Sequence, residues 1–297
     1  MAKQLTQALI EEWVSLTKGQ FNVRDIWSEI GIESPEGKHH LRTILDRLEV
    51  KEIIKQLDKG FGNYRKLENE APKIPWEDAD VTNSVPLLFP FGEHEFVKIY
   101  PKSIIIVAGS KNAGKSEYLY NFIKLNMPKY KIDLFNSETG PEQMKERFTS
   151  LGITPTESFN VYERYDNFSD VISPDRISVI DYLDLNSDVY LVGTEIDMLF
   201  RKLKAGVCVI GLQKPPPVVT FVKGKKTVID RDLAYGGGFT AKRASLYITM
   251  GTNKLKLLYV KNPAKKNVNP NNMTWIFAFN GDGHFANIRR SFENEEP

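Results

Sequence analysis

Residues 103–124 read Ser-Ile-Ile-Ile-Val-Ala-Gly-Ser-Lys-Asn-Ala-Gly-Lys-Ser-Glu-Tyr-Leu-Tyr-Asn-Phe-Ile-Lys. The first six residues are an apolar, β-branched run with the pattern of a buried strand, and the last eight carry helical spacing. Between them Gly109, Ser110, Lys111, Asn112, Ala113, Gly114, Lys115 and Ser116 fill every fixed position of G-x-x-x-x-G-K-S, a phosphate-binding loop. Gly109 and Gly114 let the chain turn so that successive backbone N–H groups face an anion, and the helix start adds its partial positive charge. Lys115 would then neutralise β- and γ-phosphate charge, and the Ser116 hydroxyl would ligate Mg²⁺. ATP and Mg²⁺ are the cofactors this implies.

Downstream, strands and helices alternate. Lys131–Phe135 reads as a strand ending at Asn136-Ser137-Glu138, and 140–151 as a helix. Arg176–Asp181 is a strand closed by a carboxylate, and Gly193–Lys204 is an amphipathic helix with Ile196, Leu199, Phe200 and Leu203 on one face. Val207–Leu212 is a further strand, ending at Gln213. Alternation of this kind predicts an α/β domain: a mostly parallel sheet with helices on both faces. Functional side chains of such sheets collect at the carboxyl ends of the strands, beside the phosphate loop. There Asp181 would hold Mg²⁺ with Ser116, Glu138 would orient or deprotonate the attacking water, and Gln213 would sense the γ-phosphate. Glu138 as a helix cap and Gln213 as a partner for loop backbone are the structural alternatives.

Taken together, these segments resemble a family. Ile99–Ser116 is similar to the entry of the ATPase core in DnaB-like replicative helicases and their RecA-fold relatives. Asn136–Arg147 is similar to that family's strand-end glutamate and the helix that follows it, closing on an arginine. Val179-Ile-Asp-Tyr-Leu183 resembles its magnesium-holding strand, Val209–Lys214 its glutamine strand, and Tyr259-Val-Lys-Asn-Pro263 its Lys-Asn-Arg element. The resemblance implies a RecA-like ATPase domain over residues 96–292, working as a homo-oligomeric ring or filament with ATP between subunits. It also implies that Lys261 reaches a neighbour's γ-phosphate. Pro263 stands where the family carries its finger arginine, which leaves Lys261, Lys265 and Lys266 for that task; lysine cannot bridge phosphate oxygens as arginine does.

Charge is unevenly spread. The chain totals +2, yet residues 214–266 hold twelve Lys/Arg against Asp230 and Asp232, a local +10 that leaves about −8 elsewhere. Such a block fits a polyanion partner, or else a solvated surface. In RecA-fold proteins the loop after the glutamine strand lines the nucleic-acid channel, and the stretch after Gln213 is similar to such a strand-tracking loop. By that resemblance Lys223, Lys225, Lys226, Lys242 and Arg243 would grip single-stranded DNA, aided by Phe221, Phe239 and the glycines 236–238.

Residues 1–70 read as a separate domain. A helix over 4–17 carries Leu5, Leu9, Ile10, Trp13 and Leu16, and a second covers 24–30. A third begins at Ser34-Pro35 and carries Leu41, Ile44, Leu45 and Leu48. Two short strands, 53–57 and 63–67, then flank a glycine-containing turn. Three helices and a hairpin resemble a winged helix-turn-helix. That resemblance makes Lys38 and Arg42 on the third helix, and Lys59 and Arg65 on the hairpin, candidate duplex-DNA contacts. Residues 1–75 hold twelve basic and twelve acidic residues, so protein docking is the alternative use of the domain. Residues 71–95 read as a Pro-rich linker whose apolar content implies packing on something.

The single cysteine, Cys208, lies within the apolar run 207–212 and reads as a buried strand residue. Met1-Ala-Lys-Gln leads into a charged amphipathic helix rather than a secretory signal, and no apolar run reaches membrane-spanning length; a cytoplasmic location without membrane association is expected. The activity these features predict is an ATP-hydrolysing, DNA-binding motor that translocates on or unwinds DNA. Two alternatives are an ATP switch that assembles on DNA without unwinding it, and an origin-binding or transcriptional regulator with an ATPase core.

Overall fold

The structure, a computed structural model, describes residues 5–17, 19–58, 60, 62–68, 71, 73–154, 159–183, 191–222 and 225–292. The chain divides into two compact units, Met1–Ala79 and Asp80–Pro297.

The first unit runs α1 (Gln7–Leu16), β1 (Gln20–Asn22), α2 (Val23–Ile30), α3 (Pro35–Val50), β2 (Ile54–Asp58) and β3 (Asn63–Lys66). Its helices start where the sequence supplies caps. Thr6 accepts the Leu9 N–H, Asn22 and Asp25 form a capping box, and Ser34 accepts the Gly37 N–H ahead of Pro35. Gly31, at φ 74°, stops α2 in a left-handed conformation. The strands pair antiparallel in the order β1-β3-β2. β1 is thus a third strand where the sequence suggested only a short extended piece. The core gathers Ile10, Val14, Ile26, Leu41, Ile44, Leu45, Leu48 and Ile54. The buried face of α1 is therefore centred on Ile10 and Val14, and Leu16, counted in the sequence stripe, is 77% exposed.

In the second unit β4 (Ser103–Gly109) leads into α4 (Lys115–Asn126), then β5 (Ile132–Asn136), α5 (Pro141–Ser150), β6 (Phe159–Glu163), α6 (Phe168–Val171), β7 (Ile177–Asp181), α7 (Leu191–Lys202) and β8 (Val207–Gln213). A hairpin of β9 (Val218–Val222) and β10 (Lys225–Ile229) follows, then α8 (Gly238–Ala241), β11 (Ala244–Gly251), β12 (Lys254–Val260), β13 (Thr274–Phe279) and β14 (Phe285–Ser291). Among the described residues, nine strands form one sheet in the order β14-β13-β12-β11-β4-β8-β7-β5-β6. Its six strands from β11 to β6 are mutually parallel, while β12, β13 and β14 are added antiparallel.

Alternation along β4 divides the core. Ile105 and Val107 face α4, packing with Tyr118, Leu119, Phe122 and Ile123, whereas Ile104, Ile106 and Ala108 join α7 through Val192, Ile196, Leu199 and Leu203. Helices thus cover both faces, and every residue of β4 is buried, as the apolar run requires. This is the α/β class that the sequence predicts. Leu87, Phe89 and Phe91, from the segment that reads as a linker, are buried in the same core. Cys208 is fully buried in β8, and burial raises its thiol pKa, with Glu195 adding to the effect.

Parallel pairing sets the site. Gly109 lies level with Gln213 across β4 and β8, and Asn136 lies level with Asp181 across β5 and β7. The carboxyl ends of four strands therefore open on one edge of the sheet.

Candidate functional site

The phosphate loop occupies the turn from β4 to α4. Gly114 stands at φ 86°, and a Cβ there would come 2.6 Å from the ring of Phe279, so glycine is required both for conformation and for space. Lys115 is the first residue of α4, which leaves the free amides of the helix start directed at the loop. The Lys115 ammonium sits 3.9 Å from the centroid of the Tyr182 ring, a cation–π contact that keeps it at the mouth of the cleft.

Ser116 and Asp181, 65 residues apart, meet at the floor, where Ser116 Oγ donates to Asp181 Oδ1 at 3.2 Å. Asp181 is fully buried. Desolvation raises its pKa, opposed by the charge of Lys115 and the hydrogen bond from Ser116. The Tyr120 hydroxyl lies beside it and lowers its pKa, although among the described residues neither that hydroxyl nor Asp181 Oδ2 meets full hydrogen-bond geometry. A buried carboxylate with one oxygen short of a full hydrogen bond, next to two hydroxyls and under a phosphate loop, is a donor set that fits Mg²⁺.

The wall beside this floor is built by short ties. The Asn136 side chain donates to the Thr139 carbonyl (2.6 Å) and accepts the Thr139 N–H (3.1 Å), fixing the loop that presents Glu138. Ser137 donates its N–H to the Asp181 carbonyl and its hydroxyl to the Tyr182 carbonyl, which joins the ends of β5 and β7. Glu138 itself is exposed on the cleft, close enough for its charge to raise the Asp181 pKa. Gln213 faces the same cleft, and its carbonyl accepts the Tyr235 N–H at 3.0 Å.

The resulting cleft of about 600 Å³ contains Lys115, Ser116, Glu138 and Gln213, with Asp181 beneath Ser116. Of the loop, Gly109, Ser110, Lys111, Asn112 and Gly114 line it as well, whereas Ala113 is turned into the core. Lys261 is exposed just beyond β12, its N–H bonded to the Ser245 carbonyl, and does not line the cleft of its own chain.

Several cleft residues escape sequence reasoning. Tyr182 follows the carboxylate that ends β7, within the run Val179–Leu183, in which Asp181 alone has an expected role. Gln143 and Arg147 on α5 form one far wall, although Arg147 is visible as the arginine that closes that helix. Phe279 and His284 reach the cleft from the β13–β14 turn, and His284 Nδ1 lies 2.8 Å from Glu117 on the first turn of α4. No local pattern announces a contact between positions so distant in sequence.

The basic candidates fall in different settings. Lys242 is exposed, but Arg243 is engaged: its guanidinium bonds Asp197 (2.6 Å from Nε) and stacks 4.7 Å from the Phe200 centroid. Lys225 and Lys226 belong to β10, with side chains outside the described residues, and Lys223 lies outside them altogether. The sequence suggested a loop there; β-branched residues on both arms instead pair Val222 with Lys225 through Val218 with Ile229. In the first unit Lys38 stacks over Trp27 at 4.8 Å, Arg42 is exposed on α3, Arg65 is half-buried on β3, and Lys59 lies outside the described residues.

No helix among the described residues is long and apolar enough to cross a membrane. No family model matches the chain, and no curated protein matches it. Among solved structures, the crystal structure of the RadB recombinase is similar at 12% identity and a TM-score of 0.41, over 62% of this chain and 90% of that one. A likeness at this level bears neither on family nor on activity.

Proposed function

We propose that the chain is a RecA-like ATPase that binds DNA and acts as a homo-oligomeric motor, translocating on or unwinding DNA. The observation that supports it is the convergence of Lys115, Ser116, Asp181, Glu138 and Gln213, from four strand ends, on one cleft. Phosphates lie along Gly109–Ser116 and accept the amides of the loop and helix start. Lys115 leaves the Tyr182 ring to meet the β- and γ-oxygens. Ser116 and Asp181 would hold Mg²⁺, which would screen phosphate charge. Glu138, exposed on its braced loop, accepts the proton of the attacking water or orients it. Gln213 hydrogen-bonds the γ-phosphate, and Lys261 serves the site of a neighbouring subunit.

DNA runs along the basic stretch after Gln213, through Lys223, Lys225, Lys226 and Lys242, with Arg243 holding the framework behind them. The first unit acts as a winged helix, presenting Lys38, Arg42, Lys59 and Arg65 to duplex DNA. The test measures phosphate release with and without single-stranded DNA, alongside light scattering with ATP and DNA. Nucleotide-dependent assembly and DNA-stimulated hydrolysis support the proposal. A monomer with no turnover under every condition overturns it.

A further inference from the structure

The residue after Gln213 is a lysine whose whole side chain is buried, 1% exposed, which is a rare place for an ammonium. Its three contacts run in three directions. The Lys214 N–H donates to the carbonyl of Gly109, the first residue of the phosphate loop, at 2.9 Å. Its Nζ donates to Thr249 Oγ1 on β11 at 3.1 Å and to Asp230 Oδ2 at 3.0 Å. Because β4 lies between β8 and β11, the side chain crosses the carboxyl end of β4 directly under the phosphate loop. Asp230 is the residue that follows β10, and Lys214 precedes β9 by four positions. One ion pair therefore closes the base of the β9–β10 hairpin.

A separate feature fits Asp230 to this place. A Cβ on Gly251 would come 2.8 Å from Asp230 Oδ2, so the carboxylate rests close against the end of β11. The carbonyl of the preceding Met250 accepts the Ser110 N–H at 3.3 Å. The phosphate loop and the base of the hairpin thus share both of their supports, the end of β8 and the end of β11.

We infer that Lys214 and Asp230 form a pin that fastens the β9–β10 hairpin to the phosphate loop, so that the order of the hairpin follows what occupies the loop. The inference rests on the assignment of Gly109–Ser116 as a nucleotide site. Losing either partner leaves a buried ammonium unpaired or the hairpin untethered, so the pair resists opening. A nucleotide that draws Ser110, Lys111 and Gln213 inward moves the backbone to which Lys214 is bonded, and the pin carries that displacement to both hairpin arms. Lys214 acts through Gln213 and the loop, as a positioning residue.

Hydrogen–deuterium exchange of the full chain tests this, with Mg²⁺ and a non-hydrolysable ATP analogue as probe. In the wild type the analogue should slow exchange across Val218–Val222 and Lys225–Ile229. In Asp230→Asn and Lys214→Met those amides should exchange about tenfold faster or more and lose their response to the analogue. Analogue affinity should stay within about threefold, and β4 and β7 should keep their protection. Asp230 is half exposed, so its variant keeps the test open if Lys214→Met does not fold. Hairpin exchange that matches the wild type in folded variants, or a preserved nucleotide response, overturns the inference. So does a wild type that binds the analogue with no change in the hairpin. A wild type that fails to bind the analogue at all overturns the nucleotide assignment instead.

Discussion

At the scale of single residues, Lys115 and Gly114 show how little freedom the loop has. Lys115 waits on the Tyr182 ring and is half-buried, so its removal should cost chemistry rather than fold. Lys115→Ala is expected to abolish ATP hydrolysis while keeping wild-type melting; a variant with normal turnover would refute the phosphate-loop assignment. Glu138 is the converse case, exposed on a loop that Asn136 rather than its own side chain braces. Glu138→Gln should therefore bind ATP and hydrolyse it about 100-fold more slowly, the usual scale for losing a positioned base. Loss of binding together with turnover would give Glu138 a structural role. Gly114→Ala combines a left-handed φ with a 2.6 Å approach to Phe279. It should lower stability by about 1–3 kcal/mol and weaken nucleotide binding, both measurable in one thermal titration.

Elements explain why the sequence was readable in some places and opaque in others. The strand, loop and helix of 103–124 were legible because burial on both faces, glycine chemistry and helical spacing each leave a local mark, and β4 and α4 have the bounds those marks imply. Glu138, Asp181 and Gln213 were legible for a related reason: parallel strands put their ends on one edge, whatever the loops do. The far walls of the cleft were not. Phe279 and His284 arrive through the folding-over of the β13–β14 turn, a long-range contact with no periodicity to betray it. The stretch after Gln213 reads as loop because prolines and lysines obscure two short β-branched runs, which among the described residues pair only with each other. If this hairpin holds DNA, replacing Lys223, Lys225 and Lys226 with Ala should lower the slope of log K against log[salt] by about 0.7 per lost contact for a single strand. Basal hydrolysis should persist while its stimulation by DNA falls. An unchanged slope would return the local positive charge to the solvent.

The whole second unit carries a pH dependence that its surface does not reveal. Glu93 is fully buried among Phe91, Tyr118 and their neighbours, accepting the Phe91 N–H (2.9 Å) and the Tyr118 hydroxyl (2.8 Å). Burial lifts its pKa to about 7 from 4.5. A folded-state pKa above the unfolded value means that its stabilising share is complete below pH 4.5 and is lost as pH rises through about 7. Glu93→Gln keeps the shape and lets Tyr118 accept. It should be more stable than the wild type at pH 8 by up to about 3 kcal/mol, with a flatter dependence of melting temperature between pH 5 and 8. Equal slopes in the two proteins would disprove the role of Glu93. Cys208 gives this unit a further property. The chain's only thiol lies at full depth in β8, the strand that ends at Gln213 and flanks the phosphate-loop strand. A thiol-reactive dye can reach it only when the central sheet parts, so the rate of labelling is a built-in clock for sheet opening. Run with and without nucleotide, that clock would read the mechanical cohesion of the site's own scaffold from one native atom.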